Sequence, residues 1–512
     1  MGLRELAAVV RAPGSLRELL RTPWDRVHVV EDKLPMSFPQ AAMGGLAALV
    51  RARRRTVSGR EGEREMSRPA LAVRAFGRGA EAAAGEGWAT WRLARVVRSV
   101  EALTAAPLPR RTAGPKSVLY VRSEPSTTWG GASIGGAAAH TTGVINGMTD
   151  SGLEVHVIAA DAPRDARAAS FNRIRPTRNH HLVAWLGATN ESERIAAADL
   201  PRADFVYQRH ALGGYAGLQL ARRWGVPLVL EYNGSEVWSA RQWFTHPPTL
   251  LGLAARLERR MLREASLIVV VSRVLCDELL AAGIAPDRVL VDPNGVDISA
   301  LEVFRADPPD EWRRRLGLPE RPTVGFIGTF APWHGVTDLP QVADKVATEM
   351  PETRWLLIGD GALHHEVRRD LDARGLSAAV QMTGIVDHQR AMRLLAACDV
   401  CVSPHLPNPD GTRFFGSPIK LFEFMGLRKP IVAADLEQIG EVIEHDRTGL
   451  LVAPRDTAGM AMSIVRLLRD RAAADRLAGA ALEEAQARYT WDAHAAKIVA
   501  AVAERDPTPV RS

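Results

Sequence analysis

Short apolar runs alternate with amphipathic stretches from residue 117 onward, and hardly at all before it. Ser117–Val121, Glu154–Ala159, Asp204–Tyr207, Pro227–Glu231 and Ser266–Ser272 are apolar runs dominated by Val, Leu and Ile. Such runs mark strands buried on both faces. Between them, apolar residues recur at helical spacing over about Ala137–Asp150, Gly214–Trp224, Leu250–Glu264 and Val274–Ala282. Strand and helix in alternation predict a parallel sheet with crossover helices. Arg288–Asp292 is a further strand and ends in the turn sequence Pro293-Asn294-Gly295-Val296-Asp297.

The polar, Pro-containing stretch Ala300–Arg321 predicts a domain boundary, and a second α/β run follows it. Strands Thr323–Ile327, Trp355–Ile358, Val380–Met382 and Val400–Ser403 alternate with helices Val336–Met350, Leu363–Ala373 and His388–Ala397. Beyond them come a short helix within Gly411–Pro430, the strand Ile431–Ala434, and helices over about 458–470 and 472–488. A last helix from about Trp491 to Ala503 is expected to cross back to the first α/β domain. Residues 1 to about 115 read as helical and irregular, with Trp88–Leu103 at helical spacing and Ala105–Lys116 as a linker. The expected division is therefore 1–115, 116–305, 306–488 and 489–512, with two α/β domains facing each other across a cleft.

Ligands in such sheets bind beyond the carboxyl ends of the strands. Polar residues collect there: Arg209, His210, Glu231, Asn233, Glu236, Asn294 and Asp297. A glycine-rich loop, Gly130–Gly136, follows the first strand, but its length and spacing are not those of a dinucleotide fingerprint. The most informative stretch is Gly411–Pro430. Ser417 is expected to cap the helix and Pro418 to sit in its first turn. A helix start with Lys420 in it suits a diphosphate, and Glu423, one turn on, suits a ribose diol, but composition alone favours an ordinary amphipathic helix with Leu421, Phe422, Phe424 and Met425 in a core and Lys420 and Glu423 in water.

Composition adds limits. The chain has 512 residues, 46% hydrophobic and 24% charged, as expected of a globular protein. The net charge of +6 is uneven, and the Arg-rich opening points to an acidic partner or a membrane surface and not to nucleic acid in particular. Met36–Val50, followed by Arg51, Arg53, Arg54 and Arg55, fits a segment lying on an anionic surface as well as one packed on its own domain. Met1–Val30 shows no signal-peptide pattern. Three cysteines fit a reducing cytoplasm, and Cys398 and Cys401 read as core residues. Asp370-Leu371-Asp372 and His364-His365 read as a solvated helix face, with no metal set.

The order of these features resembles the GT-B glycosyltransferases of the retaining family 4, or group 1, type. The resemblance covers about residues 117–505. It rests on the Gly130-Gly131 loop, Ser272, Asn294–Asp297, Gly359-Asp360-Gly361, Ser417–Glu423, Thr448–Val452, and Tyr489 with Trp491. It implies an α/β fold of two Rossmann-like domains, with a mainly helical N-terminal extension. It further implies a nucleoside-diphosphate-sugar donor, a sugar or lipid-linked acceptor, retention of configuration, and no metal or other cofactor. Carried over by position, Glu423 holds the ribose, Ser417, Pro418, Ile419, Lys420 and Leu421 hold the diphosphate, and Gly130 and Gly131 close on it. Gly384, Ile385 and Val386 lie where the base is contacted, and His210 faces the reacting sugar. Two departures stand out. Phe415 occupies the place of the family's first glutamate. Thr329 and His334 replace an Arg and a Lys of the phosphate loop, so Lys420, with His334 and Arg413, is expected to supply the positive charge. A two-domain dehydrogenase lacks its glycine fingerprint here. A sugar-phosphate phosphorylase or epimerase of similar two-domain build does not share the motif order, and a non-catalytic GT-B-like scaffold that binds nucleotide or partners is the other alternative.

Overall fold

Each α/β run closes into one parallel sheet, because its apolar strands must be covered by helices on both faces. The computed structural model describes residues 20–30, 37–59, 62–102, 107–123, 128–129, 132–133, 136–159, 165–174, 186–243 and 250–503. The first sheet has seven strands. Across it they run Val289–Val291, Leu267–Val270, Leu228–Tyr232, Phe205–Arg209, Ser117–Arg122, Glu154–Ala159 and Ser170–Arg173. The second has six, in the order Val380–Gly384, Arg354–Ile358, Thr323–Ile327, Val400–Ser403, Ile431–Ala434 and Leu450–Val452. Every pairing in both is parallel.

In each sheet the first and fourth strands of the domain lie side by side, and the chain winds away from them in both directions. The crevice beyond that pair is where the loops part to admit a ligand. In the first domain it opens between Arg122 and Arg209, and in the second between Ile327 and Ser403.

The helix Trp491–Val502 lies on the first domain, with Trp491, Ala495, Ile498 and Val502 in the core of its sheet. Thr112 N–H donates to Val502 O at 3.0 Å, which ties the linker to the same helix.

The N-terminal extension is mainly helical, with Ser37–Leu49 and the 34-residue helix Arg68–Glu101. It also contains a three-stranded sheet, where the sequence reading expected only helix and irregular chain. Trp24–Val30 pairs parallel to Ala52–Gly59, which pairs antiparallel to Gly62–Glu65. The signal lay in the alternation of Val27 and Val29 with Arg26 and His28. Val29 and Val57 are buried with Ala47, Ala48 and Leu71, while Arg26 and His28 reach Thr56 Oγ1. The Ser37–Leu49 helix packs on the long helix.

The loop after Thr323–Ile327 turns back at Gly335, whose φ is +65°. A Cβ there would stand 1.7 Å from the Pro404 carbonyl oxygen. Gly335→Ala adds left-handed strain to a backbone clash, and is expected to cost about 3 kcal/mol. Chemical denaturation reads this directly, and an unchanged midpoint would show that the loop gives way instead.

Candidate functional site

The crevice of the second domain is filled from three directions. Gly328 and Thr329 leave the first strand, His405 follows the fourth, and the helix Ile419–Gly426 enters from the side. Pro418, with extended backbone, is the residue that caps this helix. The cap expected from Ser417 is not formed, because its hydroxyl is engaged elsewhere. It accepts from Asn294 N–H at 3.1 Å and from Gln438 Nε2 at 3.0 Å, joining the two domains.

Lys420 is only 7% exposed. Its Nζ lies 4.5 Å from the centre of the Phe326 ring and has no hydrogen-bond partner among the described residues. Burial drives its pKa down to about 7, against the pull of the Glu423 carboxylate. A Cβ on Gly328 would stand 2.6 Å from Nζ and 3.2 Å from His334 Nδ1, so glycine is what lets the loop run against both. His334 Nδ1 lies 2.6 Å from Thr329 O, and burial with the Lys420 charge lowers its pKa to about 3. His405 completes the group. It is buried, 2.9 Å from Ser403 Oγ, with its ring 5.1 Å from that of His334. Burial, then Lys420 and His334, hold its pKa well below the usual histidine range. Three basic side chains thus converge: Lys420 disfavours the charged form of both histidines, and His334 that of His405. An anion bound among them would favour the charged form of each.

Glu423, on the same helix face, is 9% exposed. Burial raises its pKa, and the nearby His388 and Lys420 oppose the rise. Its Oε1 lies 3.7 Å from His388 Nδ1. His388 opens a helix capped by Asp387, directly after Gly384, Ile385 and Val386. Gly384 O accepts from Gly359 N–H at 3.2 Å, Ile385 is exposed, and Val386 packs against the core that holds Leu421 and Phe422. Leu421 is itself a core residue, and its N–H donates to Pro418 O.

On the facing domain, His210 follows the strand Phe205–Arg209 and is buried. Its Nε2 lies 3.0 Å from Glu258 Oε2. Glu258 also accepts from Ser235 Oγ at 2.7 Å and Glu236 N–H at 3.0 Å. Burial works to raise its pKa, but these bonds and His210 hold it low. Beside it, Glu231 is enclosed by Arg209 at 2.6 Å, His140 at 2.9 Å, Asn233 at 2.5 Å and Tyr207 at 3.1 Å. Burial opposes its ionisation, yet His140 and Arg209 keep it far below the usual carboxylate range.

Gly130 and Gly131 lie outside the described residues. Gly136, which starts the next helix, is described: a Cβ on it would lie 3.3 Å from Ile419 Cδ1, so that helix start abuts the one carrying Lys420. Arg413, expected to add charge at the diphosphate, is instead committed to Asp277 and Glu437, each at 2.9 Å. Phe415 is turned toward the first domain. Its carbonyl accepts from Ser272 Oγ at 2.8 Å, and its ring lies 5.1 Å from Trp238 and 6.3 Å from Trp243. Trp243 stacks on Trp333 at 4.5 Å, so four aromatic rings join the domains. Sequence reasoning missed His405, His388 and His140. The signals available were the position of His405 just past a strand end and of His140 four residues after Gly136.

Residues 134–300 match the family described as Glycosyltransferase Family 4, and residues 321–470 the family described as Glycosyl transferases group 1. Together the two stretches make up more than half of the chain. Among curated relatives, the alpha-D-kanosaminyltransferase of Streptomyces kanamyceticus is 28% identical over 54% of this chain and 69% of its own. Among solved structures, sucrose-phosphate synthase of Thermosynechococcus elongatus aligns with a TM-score of 0.58, at 19% identity, over 75% of this chain and 97% of its own. Anabaena HepE in complex with UDP-glucose gives a TM-score of 0.55 at 19% identity, over 75% and 99%.

Proposed function

We propose that this chain, a glycosyltransferase of GT-B type that belongs to the group 1 and family 4 glycosyltransferases, moves a sugar from a nucleoside-diphosphate-sugar to a hydroxyl of a sugar or lipid-linked acceptor. The transfer retains anomeric configuration and needs no metal ion. The observation that carries this reading is the buried, unpartnered Lys420 ammonium beside Gly328, His334 and His405. Negative charge develops on the diphosphate as the sugar departs, and a positive charge fixed in a site of low dielectric stabilises it. Lys420, with the two histidines recharged by the anion, takes that role. Glu423 takes the ribose, the 384–386 turn the base, and His210, oriented by Glu258, faces the reacting sugar. The structural neighbour crystallised with UDP-glucose supports a nucleotide-sugar donor.

A purely binding scaffold fits less well. An unpaired buried ammonium costs stability, of the order of several kcal/mol, and only a bound anion offsets it, so a scaffold that binds partners alone is disfavoured, while one that binds nucleotide is separated from a transferase by donor turnover. A role in cell-surface polysaccharide or glycolipid synthesis, on the cytoplasmic side of a membrane, is part of the same proposal.

The test is proton NMR of the product formed from an α-linked donor in the presence of EDTA. An α-linked product at an undiminished rate is expected. A β-linked product removes retention, and loss of activity restored by added metal removes metal independence.

Donor binding should depend on pH. Lys420 with a pKa of about 7 is charged below that value and neutral above it. The diphosphate diester of a nucleotide-sugar does not titrate there, so its affinity should fall about tenfold per unit as pH rises above 7. Calorimetric titration at several pH values measures the slope, and a flat profile would remove Lys420 from the diphosphate site.

A further inference from the structure

We propose that the outward face of the Arg68–Glu101 helix seats this protein on an anionic phospholipid bilayer. The helix has 34 residues, roughly 50 Å in length. It carries two apolar stripes on opposite sides. The inner one is buried: Leu71 lies in the core of the small N-terminal sheet, and Leu93, Val96, Val97 and Val100 lie in the core of the first α/β domain.

The outer stripe is Val73, Phe76, Ala80, Ala84, Trp88 and Trp91, recurring every three or four residues along about 27 Å. All six are exposed, Phe76 at 79%, Val73 at 73%, Trp91 at 54% and Trp88 at 49%. A continuous apolar face of this length in water marks a docking surface. It lies outside both stretches that match the glycosyltransferase families.

Charge selects the occupant. Residues 1–101 contain eighteen Arg and Lys against eleven Asp and Glu, a surplus of seven. The whole chain has a net charge of +6, so everything after residue 101 sums to one negative charge. The net positive charge of the protein thus lies in the part that bears the stripe. Two copies meeting on this face would bring two basic surfaces together, whereas an anionic bilayer is attracted to it. The side chains agree with that choice. Arg95 lies over the Trp91 ring at 5.6 Å. An indole beside a guanidinium suits the headgroup layer, where one end is apolar and the other meets phosphate. A groove of about 420 Å³ on the same extension is lined by Trp24, Arg51, Arg53 and Arg55 with a single carboxylate, Asp25, a net basic lining.

Among the described residues no helix is long and apolar enough to cross a membrane, so the helix would lie in the interface plane. It is fixed to the catalytic body. Arg92 pairs with Glu193 and Asn190, and Glu101 with Arg256. The Leu251–Glu264 helix, on which it packs, carries Glu258, the partner of His210. Docking would therefore hold the acceptor side of the enzyme close to the bilayer, which extends the lipid-linked part of the functional reading and rests on it only for that consequence.

The experiment is flotation of the full chain with vesicles of phosphatidylcholine alone and of phosphatidylcholine mixed with phosphatidylglycerol. Binding to the mixed vesicles, weakened by salt, is expected. The Phe76→Ser, Trp91→Ser double variant should lose about tenfold or more in partitioning while its unfolding temperature is unchanged. Equal flotation of the variant and the unmodified protein overturns the proposal, as does absence of binding to the mixed vesicles. A concentration-dependent dimer in sedimentation that the double variant abolishes also overturns it and assigns the face to a second copy. Donor affinity measured on both proteins keeps the result separate from the transferase reading, since neither substituted residue is near the donor site.

Discussion

Lys420→Met should reduce turnover by about a thousandfold while leaving a protein at least as stable as the original. The two halves of this expectation come from the same geometry. The ammonium is buried, unpartnered, and pressed between the Phe326 ring and the Gly328 backbone. For folding it is a cost. Because its pKa is depressed from 10.5 to about 7, the unfolded chain binds the extra proton between those values, and stability rises with pH across that window. Methionine keeps the unbranched apolar stem, lacks the ammonium, and removes both the cost and the pH dependence. For catalysis, on the proposed reading, the ammonium supplies positive charge where the leaving diphosphate forms. Steady-state kinetics and thermal unfolding on the same preparation test both halves. Near-normal turnover would sink the assignment, and a loss of activity together with a lower unfolding temperature would show only a damaged fold.

Glu423→Ala should raise the donor KM by about thirty- to a hundredfold and change kcat much less. A vicinal diol gives a carboxylate two hydrogen bonds, each of the charge-assisted kind, together worth roughly 2–3 kcal/mol. The carboxylate is well placed for this, since it is almost buried, beside His388 and next to the 384–386 turn. Comparing the nucleoside diphosphate with its 2′,3′-dideoxy analogue decides the matter. The original protein should discriminate strongly between them and the variant hardly at all. Equal discrimination by both would move the ribose elsewhere.

Phe415 shows how a departure from a family pattern acquires a physical meaning. In the sequence it is only a missing glutamate. In the structure it packs beside Gly234, where a Cβ would come within 2.5 Å of its ring, and joins Trp238 and Trp243 in contacts between the domains. The position is occupied by packing, and its side chain is turned away from Lys420 and Glu423 toward the first domain.

What the sequence determined by itself was local. A run such as Leu267–Val270 must be a strand buried on both faces, since four apolar β-formers in succession have no other stable placement between two helices. Lys420 and Glu423, three apart on a helix, must share a face. The alternation of these elements fixed the two parallel sheets. What only the tertiary structure decided was which distant residues meet. Strand order sets Thr323–Ile327 beside Val400–Ser403, and so brings His405 to His334 and both to Lys420. It set Ser417 against Asn294, committed Arg413 to Asp277 and Glu437, and placed His140 on Glu231. It also turned the alternating valines of the N-terminal extension into a small sheet. The reason is physical: periodicity is a property of neighbouring residues, whereas burial and the charges that shift a pKa come from elements that sheet order brings together across tens of residues of chain.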